Sequence, residues 1–171
     1  MVPFLSAIFR SAEEARLGLA ISHYHAALRD WTTAGQSLAL MHLYPALETL
    51  GGVAERAERA RLDLADKKAH AEYRGVDITQ SHWPDVLLGW VRRDVICKGD
   101  QRTYSLARAA SNGLEHGFMD MASIRAAAQQ VTRGLFEYVR GGVSICLTST
   151  SAYEIDWQKR RCWTSLQCMQ S

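Results

Sequence analysis

The sequence predicts an all-α fold: an antiparallel helical bundle of about five to six helices with a C-terminal extended or β-hairpin tail. Apolar residues recur at helical spacing in several separate stretches before Gly141. Glycines, prolines and capping residues stand between these stretches, where helices would begin and end. Only after Gly142 does the pattern change to an alternation of apolar and polar residues. We therefore divide the chain into a bundle, residues 1–142, and a tail, residues 143–171.

The first half of the bundle is predicted to contain three helices. The predicted spans are Ser11 to about Arg29, about Thr32 to Leu50, and Val53 to Tyr73. Ser11 followed by Glu14 matches a capping box, and apolar residues follow it at helical spacing. Gly51-Gly52 is predicted to end the second helix, as glycine commonly does at a helix C-terminus. The third span is rich in Ala, Glu, Arg and Lys, which favours a long solvent-exposed helix that ends at Gly75.

Three more helices are predicted in the second half of the bundle. His82-Trp83-Pro84-Asp85 opens the first of them, because proline suits the first turn of a helix. Lys98-Gly99-Asp100 ends that helix and caps the next, which runs from Gln101 to about Glu115. The last helix extends from Ala122 to Arg140, and Gly141-Gly142 is predicted to stop it.

The tail from Val143 onward has a different pattern. Val143, Ile145 and Leu147 alternate with polar residues, and a similar alternation follows a Ser/Thr-rich stretch, as in a β-hairpin or an extended arm. Since a lone hairpin is only marginally stable in water, the tail would pack on the bundle, pair with another chain or be disordered. Its open edge favours pairing in a dimer.

Composition narrows the classes of function. The 171 residues are 47% hydrophobic, which is enough for one compact domain with a sizeable core. A net charge of +2 does not indicate the strongly basic face of an obligate DNA binder. The start of the chain has no basic leader, and no stretch approaches the roughly 20 apolar residues of a membrane span. We therefore expect a soluble, cytoplasmic protein with no membrane association.

The sequence also lacks the patterns of common metal and cofactor sites. The four cysteines are scattered without a Cys-x-x-Cys pair, which is typical of reduced thiols in a cytosolic protein. There is no Glu-x-x-His pair of the kind that di-iron bundles use. Glycine-rich phosphate loops, Gly-x-Ser-x-Gly elbows and His-Glu-x-x-His motifs are also missing. We expect neither a metal nor a cofactor.

The most informative residues lie in the helix predicted from Gln101. Arg108, Asn112 and His116 are four residues apart, so they would share one face of that helix. RNA is cut without a metal when a histidine moves a proton at the 2′-hydroxyl or the leaving oxygen and an arginine steadies the phosphate. The candidate catalytic residues are therefore His116, Arg108 and Asn112. The alternative for His116 is a structural role, because His-Gly at a helix end often caps carbonyl groups.

Two segments resemble the HEPN superfamily (higher eukaryotes and prokaryotes nucleotide-binding domain). Asn112, His116, Gly117 and Phe118 are similar to the family pattern Arg-Asn-x-x-x-His-Gly-Tyr, with Ser111 at the position of the arginine. The stretch from Ala39 to Leu50 is similar to an alanine-rich family helix that ends in Ala-Leu-Glu-x-Leu. Both segments are short and cover a small share of the chain.

The resemblance implies a small all-helical protein that acts on or binds RNA, as in toxins, phage-defence ribonucleases and RNA-processing nucleases. It implies a homodimer in which the motif helices of two protomers face one groove, together with an antitoxin or defence-system partner protein. In such a metal-independent endoribonuclease His116 would transfer protons, Asn112 would position the RNA and Arg108 would grip phosphate. The competing hypothesis is a non-catalytic helical dimerisation or scaffold protein, and both hypotheses stay open here.

Overall fold

The computed structural model describes the backbone of residues 14–32 and 35–168, and the side chains of residues 15–32 and 35–147. Within these ranges the chain forms six α-helices and one π-helical segment, without a β-strand. They are α1 (Glu14–Arg29), α2 (Gln36–Arg61), α3 (Lys67–Tyr73), α4 (Trp83–Trp90), the π-helical segment (Val91–Ile96), α5 (Gln101–Glu115) and α6 (Met121–Cys168). The predicted all-α bundle is confirmed, whereas Ser11 of the expected capping box lies outside the described residues.

The core of the bundle lies between the long helices α2 and α6. α1 packs on both of them, and α5 packs mainly on α6. Four leucines of α2 occur at steps of three and four residues and are almost fully buried, because this spacing places them on one helical face. They are Leu40, Leu43, Leu47 and Leu50. Val131, Leu135 and Val139 form the corresponding buried stripe of α6.

The predicted end of the second helix at Gly51-Gly52 was wrong, because α2 continues through this pair to Arg61. Gly51 is buried, and a Cβ atom there would lie 2.8 Å from Nε of Arg92. The glycine therefore allows the π-helical segment to approach α2 closely, and it does not stop the helix.

The third predicted helix, Val53 to Tyr73, is divided in the structure. α2 ends at Arg61, and Asp63 then adopts a positive φ of 53°, which a continuous helix does not permit. The carboxylate of Asp66 accepts a hydrogen bond of 2.8 Å from the backbone N–H of Ala69 and caps α3. Gly75, with a φ of +69°, ends α3 as the sequence predicted.

The predicted stop at Gly141-Gly142 and the predicted hairpin were also wrong for the described residues. α6 continues through both glycines to Cys168. Val143 and Leu147 are buried and extend the stripe of Val139, since residues four apart share a helical face. Ile145, between them, is exposed. Val143 and Leu147 therefore fit two patterns at once: they belong to the alternation expected of a strand, and their spacing of four residues also suits a helix.

The region from α4 to α5 follows the sequence prediction closely. Pro84 lies in the first turn of α4, and the chain then continues as the π-helical segment. Gly99 has a φ of +79° in the tight turn that follows. The carboxylate of Asp100 accepts a hydrogen bond of 2.9 Å from the backbone N–H of Thr103 and begins α5. This turn places α5 beside α4 and the π-helical segment.

Candidate functional site

A groove of about 690 Å³ lies between α4 and α5, and we call it the α4–α5 groove. Its volume is typical of sites that bind small molecules or single chemical groups of a larger ligand. One wall comes from α4, the loop before it and the π-helical segment, and the other wall comes from α5. The lining residues are Val76, His82, Asp85, Val86, Gly89, Trp90, Arg93, Gln101, Tyr104, Ser105, Arg108, Ala109 and Asn112.

Two arginines line the α4–α5 groove, and their surroundings differ. Nε of Arg93 donates a hydrogen bond of 2.7 Å to the carboxylate of Asp94, which raises the pKa of the guanidinium. Arg108 is exposed and has no ion-pair or hydrogen-bond partner among the described side chains. Asp85 contributes one carboxylate to the lining. Arg108 is therefore the cation of this groove that is available to an anionic ligand.

The aromatic part of the groove consists of Trp90 and Tyr104. The guanidinium of Arg74 lies 4.1 Å from the ring centroid of Trp90, a cation–π contact that holds this indole from the side of α3. The ring of His70 meets Trp90 edge to face at 6.4 Å. α3 therefore supports the position of Trp90 although neither Arg74 nor His70 lines the groove.

Two buried carboxylates of α2 anchor α3. Oε1 of Glu55 lies 3.1 Å from Nδ1 of His70, and both side chains are almost completely buried. Glu58 pairs with Arg74 and is also buried. Because buried polar groups need partners, the Glu55–His70 contact and the Glu58–Arg74 ion pair fix α3 on α2 and hold Arg74 against Trp90.

The three residues selected from the sequence are not all in the same place. Arg108 and Asn112 both line the α4–α5 groove, as expected for positions four apart on one helical face. His116 does not line it. It is the C-terminal capping residue of α5, its side chain is exposed, and its ring is nearly parallel to that of Phe118, at 9° and with 6.4 Å between centroids. The structure thus joins the cation and the amide and leaves the imidazole at the end of the helix.

Ser111, which stands at the arginine position of the family pattern, is directed toward the core. It is only 7% exposed and shares the buried side of α5 with Ala107 and Ala110. A longer charged side chain at position 111 would have to enter that core. Position 108, in contrast, presents a cation to the groove.

The second segment of the resemblance, Ala39 to Leu50, lies within α2. Its apolar residues are buried in the core between α2 and its neighbours, including Ala46 and Leu47 of the Ala-Leu-Glu-x-Leu stretch. Core packing therefore accounts for this pattern without a functional role.

Several lining residues were not identified from the sequence. The sequence indicates His82 only as the start of a helix and does not single out Arg93. Tyr104, which the sequence predicts for the core, is buried there and also lines the groove. These residues lie up to 30 positions from Asn112, and only the tertiary arrangement of α4, the π-helical segment and α5 brings them to one groove. The proline and the Asp100 cap predicted both helices, but no spacing rule predicts their adjacency.

Comparisons with known proteins add no relative, since no protein-family model, no curated protein and no solved structure matches this chain.

None of the helices in the described part of the chain has a stretch that is both long and apolar enough to span a membrane. Among the described residues, His, Cys, Asp and Glu form no group of three that could hold a metal ion. Cys97 and Cys146 are buried, and burial raises the pKa of the Cys97 thiol to about 12.

Proposed function

We propose that this chain is an RNA-binding protein in which the α4–α5 groove receives the strand and Arg108 grips a phosphate. The observation that carries the proposal is an exposed guanidinium that lines a groove and has no ion-pair partner among the described side chains. The planar guanidinium makes two hydrogen bonds to phosphate, which a single point charge does not. Asn112 adds an amide one turn further along the same wall.

The remaining lining of the groove suits a nucleotide as well. Trp90 supplies partly exposed aromatic surface, and a nucleobase has a π-face that stacks on such a ring. Gln101 and Ser105 supply hydrogen-bonding groups on the α5 wall. A groove with one available cation, the amides of Asn112 and Gln101 and aromatic surface favours a phosphate-linked base over an apolar ligand.

Binding is tested with a labelled single-stranded RNA in the presence of EDTA, comparing the full chain with Arg108→Ala. We expect the variant to bind about tenfold more weakly, because a charge-assisted hydrogen bond to phosphate is lost. The slope of the logarithm of affinity against the logarithm of salt concentration should also become shallower by about 1, as expected when one phosphate contact is lost. Arg29→Ala is the matched control, since it removes the same charge from an exposed position on α1. Equal weakening in both variants would show that Arg108 has no special role.

The catalytic form of the proposal is a metal-independent endoribonuclease. His116 would transfer protons, Arg108 would hold the phosphate and Asn112 would position the nucleotide. Eight residues of helix separate Arg108 from His116, a rise of about 12 Å, which is more than one phosphate spans. The proposal therefore requires a homodimer in which His116 of one copy reaches the groove of the other. Such an enzyme suits a cytoplasmic toxin or phage-defence system with a partner protein.

Cleavage is tested on a mixed RNA pool with EDTA present, using the full chain and His116→Ala. We expect the wild type to cut and the variant to bind RNA without cutting, because only the proton-transfer group is removed. Full cutting by His116→Ala would exclude His116 as a catalytic residue. Binding without cutting by either protein would leave RNA binding as the function.

One observation favours a second function, that of a non-catalytic dimerisation or scaffold protein. Phe118 and Met121, in the turn between α5 and α6 and at the start of α6, are 67% and 47% exposed. Exposed apolar residues that lie together are typical of protein contact surfaces. Analytical ultracentrifugation of the wild type and Met121→Ser tests it: a dimer that dissociates in the variant, without RNA binding in either protein, is expected for a scaffold.

A further inference from the structure

We infer that His116 and Phe118 form a stacking platform for an unpaired base of the RNA strand whose phosphate is held by Arg108. This inference rests on the proposed RNA-binding function and adds the class of substrate, single-stranded RNA. It also gives His116 a role in the monomer that does not depend on proton transfer.

The platform is a local consequence of how α5 ends. Gly117 has a φ of +68°, a conformation that glycine adopts readily, and it turns the chain directly after His116. This turn brings the ring of Phe118 alongside the ring of His116, with only 9° between their planes. At 67% exposure, Phe118 is the most exposed of the large hydrophobic residues among the described part of the chain.

An exposed and nearly parallel pair of rings is a surface that a third flat ring can cover. Burial of aromatic surface is favourable, and stacking of a base on protein aromatic rings tolerates any base because each base has a π-face. In a duplex the faces of a base are already stacked on its neighbours, so the platform selects unpaired bases.

The positions of the polar side chains along α5 give the strand a path. Arg108, Asn112 and His116 lie on successive turns, each about 6 Å further along the helix. The helix rises by about 12 Å from Arg108 to His116, which lies within the length of a short single strand. A single strand along α5 can therefore place a phosphate at Arg108 and a base on the platform at the same time.

The charges beside the platform favour a base over a phosphate there. Glu115 is exposed next to His116, and Asp120 follows closely after Phe118. The carboxylate of Asp120 accepts hydrogen bonds of 2.9 Å from the backbone N–H groups of Ala122 and Ser123, and it stays ionised as the cap of α6. Two negative groups repel a phosphate, whereas a neutral ring is not affected.

The test uses the full chain and single-stranded RNA oligonucleotides of about eight residues that carry one 2-aminopurine at successive positions. We expect fluorescence quenching in the wild-type complex to be strongest at one position of the scan. Phe118→Ala should remove this quenching and weaken binding roughly tenfold, since one stacked base is lost. Phe118→Tyr should retain both, because it keeps the ring. The same sequence annealed into a duplex should bind more weakly than the single strand.

The other outcomes separate the platform from the groove. If Arg108→Ala weakens binding but Phe118→Ala changes neither affinity nor quenching, the platform is overturned and the proposed function stands. If the wild type binds no RNA, both proposals fall. If Phe118→Ala converts a dimer into a monomer in analytical ultracentrifugation, Phe118→Tyr stays dimeric and neither variant changes the quenching, the ring is a protein contact and the platform is overturned. Because Phe118 is exposed, circular dichroism should show unchanged folding in both variants.

Discussion

Asp100 fixes the start of the helix that carries the candidate site. Its carboxylate accepts hydrogen bonds from the backbone N–H of Thr103, at 2.9 Å, and from the hydroxyl of Tyr138 on α6, at 3.0 Å. The first contact satisfies an N–H group that the helix itself leaves unpaired. The second ties the N-terminus of α5 to α6, so this one residue sets both where α5 begins and where it lies.

We predict that Asp100→Ala lowers the free energy of unfolding by about 1–2 kcal/mol, because the helix cap and a side-chain hydrogen bond are both lost. Tyr138→Phe should cost less, about 1 kcal/mol, since it removes only the second contact. Urea unfolding followed by circular dichroism measures both variants and the double variant. A loss in Tyr138→Phe as large as that in Asp100→Ala would show that the cap contributes little.

The pH dependence of this stabilisation has a defined sign. Hydrogen bonds from the backbone N–H and hydroxyl of Thr103 hold the pKa of Asp100 below its usual range. A folded-state pKa below the unfolded value of ~3.9 means that the stabilisation is complete above about pH 4. It is lost as the pH falls through the folded pKa.

We therefore predict that the difference in unfolding free energy between the wild type and Asp100→Asn is larger at about pH 7 than at about pH 2.5. Equilibrium urea unfolding at the two pH values measures this difference. A difference that is the same at both values would show that the ionised form of Asp100 has no advantage over an amide.

The helices show which signals in the sequence suffice and which do not. α4 and α5 were predicted well because their signals are local: Pro84 begins one and Asp100 caps the other. The two glycine pairs were misjudged because their roles depend on residues far away in the sequence. Gly51 is packed against Arg92, and Gly142 is packed against Ile96. A glycine that ends a helix and a glycine that admits a neighbouring helix look the same in the sequence.

Gly141 and Gly142 provide a matched pair for testing this explanation. A Cβ atom at Gly142 would lie 3.0 Å from Cγ2 of Ile96 and 3.3 Å from Cδ1 of Leu50, whereas a Cβ atom at Gly141 would meet nothing within 4 Å. We predict that Gly142→Ala lowers the melting temperature because the added Cβ atom crowds Ile96 of the π-helical segment and Leu50 of α2, both of which are buried and must shift. Gly141→Ala should raise the stability by about 0.5–1 kcal/mol, the usual gain within a helix. Stabilisation by both substitutions would mean that α6 does not depend on close approach.

The candidate site was predictable to the same extent as the helices. Arg108 and Asn112 follow from helical spacing, which is a property of one element. Their separation from His116 follows from the end of α5 at Glu115 and the positive φ of Gly117. The predicted stripe of three residues on one helical face therefore extends one turn beyond the groove. The opposite wall, with His82 and Arg93, is set by tertiary packing and has no local signature.

At the scale of the whole molecule, the buried ion pairs connect the core to the groove. Glu55 and Glu58 project from α2, hold His70 and Arg74 of the α3 region, and through Arg74 support Trp90 in the α4–α5 groove. Three consecutive elements, α2, α3 and α4, therefore meet at one polar cluster under a groove wall. Removal of one member leaves its partner buried without compensation, which costs much more than the loss of an exposed pair.

We predict that Glu55→Ala lowers the free energy of unfolding by about 3 kcal/mol, since His70 is 0% exposed and loses the carboxylate at 3.1 Å. Glu48→Ala is the control: its side chain is 47% exposed and pairs with Arg92 at 3.7 Å, so the loss should stay below about 1 kcal/mol. Urea unfolding measures both variants. In the folded fraction of Glu55→Ala, tryptophan fluorescence should change because His70, which meets Trp90 edge to face, loses its carboxylate partner, whereas Glu48→Ala should leave the fluorescence unchanged. Equal losses of stability in the two variants would show that the contact between Glu55 and His70 is solvated and does not stabilise the groove wall.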